Sequence, residues 1–177
     1  MTVYISGGCK NGKSMLAQTL CRELAAGGPM YYVATMIPGD DEDRARIRRH
    51  VADREGWGFE TLEQGRDLTA CLERADPEGT FLLDSVTALV GNEMFGPDGF
   101  DPDCGERVAE DLRRFIGRVR NAVIVSDYIF SDAETYDEWT ETYRRALARV
   151  DRTALLCDRV IEVCAGRQIV HKGEEDL

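Results

Sequence analysis

The chain has 177 residues, of which 43% are hydrophobic, and this is enough to build the core of one domain. Acidic side chains outnumber basic ones 33 to 22, which gives a formal net charge of −11 and argues against a surface that binds a nucleic-acid backbone or an anionic membrane. The sequence contains no run long enough to span a membrane and no signal-peptide pattern at its start. We therefore predict one cytoplasmic domain over residues 1–177.

The six cysteines are predicted to be free thiols. No two of them form a Cys-x-x-Cys pair, and the chain has only two histidines that could complete a zinc site. We therefore expect neither a disulfide framework nor a structural zinc.

In chain order, short apolar runs alternate with segments of helical spacing. The runs 3–6, 30–34, 81–84, 122–126 and 159–163 are predicted strands, and the segments 13–26, 41–54, 66–75, 85–95, 104–120 and 134–156 are predicted helices. Near-continuous apolar strands separated by helices are typical of a parallel sheet covered on both faces. Residues 160–171 instead predict a closing antiparallel hairpin, and residues 96–105 an inserted loop.

The seam between the first strand and the first helix reads SGGCKNGKS and matches the phosphate-binding pattern G-x-x-x-x-G-K-[ST]. Its glycines let successive backbone amides point at one centre, where the following helix adds its positive end. Lys13 is predicted to act in catalysis along the terminal phosphates, and the Ser14 hydroxyl to ligate Mg²⁺. An incidental Gly-rich turn is the alternative. The loop residues predicted to bind nucleotide are Gly7, Gly8, Cys9, Lys10, Asn11, Gly12, Lys13 and Ser14.

A second acidic element of the site is expected at Asp84, which ends the apolar run FLLD. Asp84 is predicted to hold Mg²⁺ with Ser14, directly or through water. Its alternative role is to cap the helix that begins near Ser85. These features predict an α/β P-loop NTPase fold of the RecA-like type, in three layers, with a mostly parallel central sheet and a C-terminal antiparallel hairpin.

The predicted helix over 41–54 carries a basic stripe. Helical spacing places Arg46, His50 and Arg54 on one face, with Ile47 and Val51 directed toward the core. Like charges at this spacing repel one another, and a nearby anion would relieve them. A neutral imidazole is a nucleophile, and its attack on phosphorus would form a phosphoramidate. An exposed basic helix with no chemical role is the alternative.

Together these motifs resemble the bifunctional family of adenosylcobinamide kinase / adenosylcobinamide-phosphate guanylyltransferase. The resemblance continues more loosely to the strand CDRVIEV near the end of the chain. Its closest part consists of the N-terminal ISGGxxxGKS, YVAT at 32–35, Asp40-Asp41-Glu42, Arg46-Ile47, His50, Arg54, Thr61 and Glu63.

The resemblance implies a two-step transferase of cobalamin biosynthesis. A nucleoside triphosphate first phosphorylates the hydroxyl of the aminopropanol arm of adenosylcobinamide. A histidine, here His50, then attacks the α-phosphorus of GTP, releases pyrophosphate and passes GMP to the new phosphate, giving adenosylcobinamide-GDP. The substrates implied are GTP, ATP and a corrinoid, with Mg²⁺ as cofactor and a homotrimer as the assembly. Further nucleotide contacts are implied at Thr35, Arg46, Arg54 and Glu63.

The chain departs from the family's pattern at several positions. Asp84 stands where relatives commonly have Glu, and Asp127-Tyr128 where they usually have Asn-Glu. Asp53-Arg54-Glu55 replaces Gly-Arg-Pro, and Asp151 ends a segment that typically reads Gly-x-x-Asn. Because strand ends of open parallel sheets bind ligands, we expect these residues to contact substrate.

Two other functions stay open. A P-loop kinase of another small alcohol would transfer γ-phosphate and never carry GMP. A nucleotide-binding protein without turnover would only gain thermal stability from GTP. Of the remaining residues of interest, His171 is predicted to be a surface residue, and Trp139 and Tyr143 to be core or interface residues.

Overall fold

A computed structural model describes residues 1–130 and 134–174. The strands are β1 Thr2–Gly7, β2 Met30–Ala34, β3 Glu60–Glu63, β4 Thr80–Asp84, β5 Phe95–Gly96, β6 Gly99–Phe100, β7 Asn121–Asp127, β8 Arg159–Cys164 and β9 Arg167–Lys172. The α-helices are α1 Lys13–Ala25, α2 Asp41–Asp53, α3 Val86–Met94, α4 Cys104–Arg118 and α5 Glu138–Asp151. Short 3₁₀ helices cover Leu68–Glu73 and Arg152–Leu156.

A mostly parallel sheet organises the chain, as the alternation of apolar runs and helices predicts. Its strand order is β3-β2-β4-β7-β1-β8-β9, and β9 is antiparallel to β8. Gly7 pairs in register with Asp127, and Ala34 with Asp84. The carboxyl ends of these four central strands therefore meet at one edge of the sheet, where open parallel sheets bind ligands.

The two faces of the sheet are buried under different helices, because successive strand residues point to opposite sides. Val3, Ile5 and Leu82 pack on the face that α1 covers. Tyr4, Phe81 and Leu83 pack on the opposite face, against apolar side chains of α3, α4 and α5. The predicted three-layer architecture is therefore confirmed.

Several predicted elements differ from those observed. β3 was not predicted because its sequence ETLE is short and polar, with only Leu62 buried. The helix predicted over 66–75 is a shorter 3₁₀ helix, and the one predicted from 134 begins at Glu138. The inserted loop contains the small hairpin β5–β6. All six cysteines are free, as predicted.

Helix α2 lies on the surface. Asp40 caps its start by accepting a hydrogen bond from the Asp43 amide, 2.9 Å. The prediction that Ile47 and Val51 face the core is wrong for Val51, which is 52% exposed, and Ile47 is only half-buried. The sequence of α2 is too polar to supply an apolar stripe, so this helix contributes little to the core.

Within residues 1–130 and 134–174, no helix is both long and apolar enough to cross a bilayer.

Candidate active site

The loop between β1 and α1 is held in its curled form by close backbone contacts. A Cβ atom on Gly7 would lie 2.3 Å from the carbonyl oxygen of Val163, so only glycine fits there. Gly12, which precedes α1, has a φ of 87°, a value that favours glycine. The Asn11 side chain donates to the carbonyl of Val163, 3.3 Å, and ties the loop to β8. The sheet therefore supports the loop directly.

Lys13 is buried at the centre of this loop, with 6% of its side chain exposed. Its ammonium group donates to the Gly8 carbonyl, 2.6 Å, and pairs with the Asp127 carboxylate, 2.8 Å. The backbone amide of Asp127 donates to the Thr87 hydroxyl, 2.9 Å, and this bond fastens the end of β7 to α3. Lys13 and Asp127 are thus fixed side by side at the edge of the sheet.

Ser14 and Asp84 lie together beside the loop. The Ser14 hydroxyl is 3.4 Å from Asp84 Oδ2, and the Tyr32 hydroxyl donates to the same oxygen, 2.8 Å. Burial, with the adjacent Asp84 charge, raises the pKa of Tyr32 well above its usual value, so the phenol stays a donor at neutral pH. The alternative role of Asp84 as a helix cap is wrong, because Ser85 caps α3 by accepting from the Ala88 amide.

The pair of Ser14 and Asp84 fits Mg²⁺, which prefers oxygen ligands and completes its shell with phosphate and water. In the part of the chain that the structure describes, no group of three His, Cys, Asp or Glu side chains could cage a metal ion. A hydroxyl and a carboxylate beside a phosphate loop are therefore the residues here that could hold the ion together with a nucleotide.

Thr35 lies behind Asp84 and is fully buried. Its hydroxyl accepts from the Ser85 amide, 2.7 Å, and donates to the Ser85 carbonyl, 2.8 Å. Its own carbonyl accepts from the side chain of Asn92, 2.6 Å. These contacts use the side chain of Thr35 to shape the turn after β4.

Arg54 does not extend the stripe predicted on α2. The helix ends at Asp53, and the Arg54 side chain is buried, with its guanidinium carbon 3.6 Å from the centre of the Tyr32 ring. It also donates to the Thr61 hydroxyl, 3.5 Å. The face of an aromatic ring attracts a cation, and this attraction turns Arg54 inward while Arg46 stays exposed.

The structure thus brings only part of the predicted site into mutual contact. Lys13 stands in the loop, and Ser14, Asp84 and Arg54 are linked through Tyr32. His50 is half-buried on α2, and Glu63 is exposed at the end of β3. His171 is exposed, as predicted, with Nε2 2.8 Å from a Glu162 carboxylate oxygen.

A buried carboxylate lies under the end of β7. Asp151 Oδ1 accepts from the hydroxyls of Tyr4, 2.5 Å, and Ser126, 2.8 Å. Burial chiefly raises the pKa of Asp151 to about 6, against the two hydroxyl bonds, which lower it. These bonds direct the Asp151 carboxylate to the sheet, so its role in this structure is internal and not the substrate contact expected from the sequence.

Sequence reasoning did not single out Tyr32 or Thr87 as parts of the site. Tyr32 stands in an apolar strand run, where a tyrosine is usually a core residue. Asp127 was noted only as a departure from a family pattern. The signal that could have found Asp127 is its place at the end of a strand next to the phosphate loop.

Comparisons with known proteins agree with this geometry. The sequence profile of the family "Cobinamide kinase / cobinamide phosphate guanyltransferase" matches residues 3–170. Among solved structures, an isolated ATPase domain is similar with a TM-score of 0.58 and 10% identity, over 99% of this chain and 78% of that one. The flagellar accessory protein FlaH from Methanocaldococcus jannaschii is similar with a TM-score of 0.50 and 14% identity, over 98% and 78%. No curated protein matches significantly by sequence.

Proposed function

The chain belongs to the cobinamide kinase / cobinamide phosphate guanyltransferase family of cobalamin biosynthesis, and on that premise we propose that it carries out both steps of that activity through the residues described above. It phosphorylates adenosylcobinamide and then transfers GMP from GTP, by way of His50, to adenosylcobinamide phosphate. The observation that supports this most is a family match over nearly the whole chain, combined with Lys13, Ser14 and Asp84 gathered at one sheet edge.

The loop residues hold the triphosphate in this proposal. Main-chain amides of Gly8 to Ser14 donate to the phosphate oxygens, and the buried ammonium of Lys13 exchanges the Gly8 carbonyl for them. Ser14 and Asp84 hold Mg²⁺, which would neutralise developing charge on the phosphates. Tyr32 keeps Asp84 oriented, and Arg54 keeps Tyr32 in place.

Asp127 is the proposed proton acceptor of the kinase step. It lies 2.8 Å from the ammonium that contacts the terminal phosphates, so a hydroxyl approaching the γ-phosphorus would be within its reach. The hydroxyl oxygen forms a bond to the γ-phosphorus, the bond to the bridging oxygen breaks, and a nucleoside diphosphate leaves. The hydroxyl proton passes to the Asp127 carboxylate.

His50 is the proposed nucleophile of the second step. A ring nitrogen bonds to the α-phosphorus of GTP, and the bond to the pyrophosphate oxygen breaks. A phosphate oxygen of adenosylcobinamide phosphate then attacks that phosphorus, the P–N bond breaks, and His50 is regenerated. Because α2 lies on the surface and is fixed at its end by Arg54, it can adjust its position as the nucleotide binds.

Covalent labelling tests this proposal. GTP labelled at the α-phosphorus should leave radioactivity on the denatured protein, and the label should be lost in acid, as expected of a P–N bond. His50→Ala should abolish the label, whereas His171→Ala, which changes an exposed histidine, should keep it. A label that persists in His50→Ala would disprove the assignment.

The same assay separates the other two functions. A simple kinase would release nucleoside diphosphate in the presence of an alcohol and remain unlabelled. A protein without turnover would release neither diphosphate nor pyrophosphate, although GTP would still raise its melting temperature.

The kinase role of Asp127 has its own test. Asp127→Asn keeps the shape of the side chain but removes its basicity, so the rate of corrinoid phosphorylation should fall by about 100-fold or more. The rate of His50 labelling should change far less, because that step does not use Asp127. Equal loss of both rates would show that Asp127 serves only to hold Lys13.

The remaining expectations concern the assembly and its place in the cell. In line with the family it resembles, the proposed enzyme is a cytoplasmic homotrimer that uses GTP or ATP in its first step. Sedimentation equilibrium measures the number of subunits, and fractionation of its native cell measures the location.

A further inference from the structure

Three exposed aromatic side chains form a cluster on the side of the sheet that α3 and α5 cover. Phe95 and Phe100 face each other across the hairpin β5–β6, with ring centres 5.5 Å apart. Trp139, near the start of α5, lies 4.2 Å from the ring centre of Phe100 and 6.4 Å from that of Phe95. We call these three residues the aromatic cluster.

The cluster exposes much of its apolar surface. Phe95 is 50% exposed, Phe100 37% and Trp139 55%. Grouped exposed aromatics on a hairpin that adds nothing to the core point to a ligand or partner, since isolated apolar residues are common on surfaces but such groups are not. The prediction that Trp139 lies in the core is therefore wrong, whereas an interface role stays open.

A short chain of contacts connects this cluster to the proposed kinase site. Trp139 is one helical turn before Tyr143, whose hydroxyl donates to the Thr87 carbonyl, 2.9 Å. The hydroxyl of Thr87 accepts from the amide of Asp127, which pairs with Lys13. The cluster therefore lies beside the face on which an alcohol would approach Asp127. Tyr32 and its partner Arg54 lie on the opposite face, which α1 covers.

We propose that the aromatic cluster binds the corrin macrocycle of the substrate while the aminopropanol arm reaches toward Asp127. This inference rests on the proposed function. A corrinoid has a broad apolar ring system with a flexible arm that carries the reacting hydroxyl, so its macrocycle and its reacting atom must occupy separate places. The aromatic cluster and the Lys13–Asp127 pair provide two such places on one side of the sheet.

Charge also favours a corrinoid over a second nucleotide at this position. The alkylated cobalt corrin carries a net positive charge, and aromatic faces attract cations. The exposed carboxylates Asp98, in the hairpin turn, and Glu138, next to Trp139, stand beside the cluster in the chain. Those carboxylates would repel the phosphates of a nucleotide. A second copy of this chain is the competing occupant, and the experiment separates it.

The test compares Trp139→Ala and Trp139→Phe with wild type, and uses Leu155→Ala, a change at a 73% exposed apolar residue outside the cluster, as the matched control. Trp139→Ala should raise the KM for adenosylcobinamide by about 10-fold or more and leave kcat within about twofold. Trp139→Phe, which keeps an aromatic ring, should raise the KM by less than about threefold. Leu155→Ala should match wild type.

Two further measurements make the result decisive. The rate of His50 labelling by GTP, which needs no corrinoid, should be the same in every variant, and so should the sedimentation coefficient. An unchanged KM in Trp139→Ala would overturn the proposal, and a changed sedimentation coefficient would assign the cluster to a second copy and overturn it as well. If wild type itself phosphorylates no corrinoid, it is the proposed function that fails.

Discussion

The guanidinium of Arg54 lies 3.6 Å from the centre of the Tyr32 ring, whose hydroxyl donates to Asp84. Arg54 directly follows α2, the helix that carries His50, and Asp84 is the carboxylate proposed to hold Mg²⁺. One aromatic side chain therefore joins the helix of the proposed nucleophile to the proposed metal site. This contact gives α2 a fixed point on an otherwise exposed surface.

Removal of this contact should slow the second step more than it weakens GTP binding. In Arg54→Gln, α2 loses a partly desolvated cation–π contact, so the initial rate of His50 labelling should fall by about 10-fold. The dissociation constant of GTP with Mg²⁺ should rise by less than about threefold. Quenched-flow labelling and titration calorimetry measure the two quantities.

Arg49→Gln is the matched control, because Arg49 is exposed on the same helix. It should label at the wild-type rate. Tyr32→Leu should reproduce the defect of Arg54→Gln, and the double variant should be no slower than either single one, since both remove the same contact. Additive losses would contradict this account.

Lys13 should dominate nucleotide affinity. Lys13→Met removes the buried ammonium from the loop and leaves Asp127 beside the phosphates without its cation, so the dissociation constant for GTP with Mg²⁺ should rise by about 100-fold or more. Lys10→Gln, at an exposed position of the same loop, should change it by less than about threefold. Titration calorimetry measures both, and full affinity in Lys13→Met would remove the basis of the proposed site.

Gly7 is expected to be intolerant of any side chain. In Gly7→Ala the new methyl group would meet the Val163 carbonyl at 2.3 Å, and two paired strands would have to separate to make room. The free energy of unfolding should fall by about 1–3 kcal/mol, and GTP affinity should fall with it. Urea unfolding measures the first and calorimetry the second.

Gly117→Ala serves as the opposite case. Gly117 lies inside α4 with open space where the methyl group would go, so the change should raise the free energy of unfolding by about 0.5–1 kcal/mol. If both variants shifted stability in the same direction, the close approach at Gly7 would not be the cause.

Asp151 should make the protein less stable as pH rises. Its pKa is about 6 in the folded chain and about 3.9 in an unfolded one. The folded state therefore binds the extra proton between these values, and the free energy of unfolding falls as pH rises through that window. Asp151→Asn lacks this charge and can still accept from both hydroxyls, so its advantage over wild type should be larger at about pH 8 than at about pH 4, by about 1–3 kcal/mol.

Asp158 provides the comparison of opposite sign. The amide of Thr2 donates to its carboxylate and lowers the pKa of Asp158 below the usual value. Its stabilising contribution is present at neutral pH and is lost as pH falls through that lowered pKa. Asp158→Asn should therefore be at its greatest disadvantage at high pH. Urea titrations across the pH range measure both variants.

The sequence by itself determined the phosphate loop, the parallel sheet and the family, because each depends on local pattern. Glycine spacing in the loop and apolar runs in β1, β2, β4, β7 and β8 are readable without any distant contact. The same holds for the free cysteines and the closing hairpin. None of these features requires knowledge of which strands become neighbours.

Only the tertiary structure decided which side chains meet at the site. The pairing of Lys13 with Asp127, and of Tyr32 with Asp84 and Arg54, joins residues distant in sequence through the strand order, which no local pattern specifies. Helical spacing placed Arg54 on a stripe with His50, but the cation–π contact with Tyr32 outweighs that pattern once α2 has ended. The aromatic cluster likewise exists because the β5–β6 hairpin and the start of α5 come together in space.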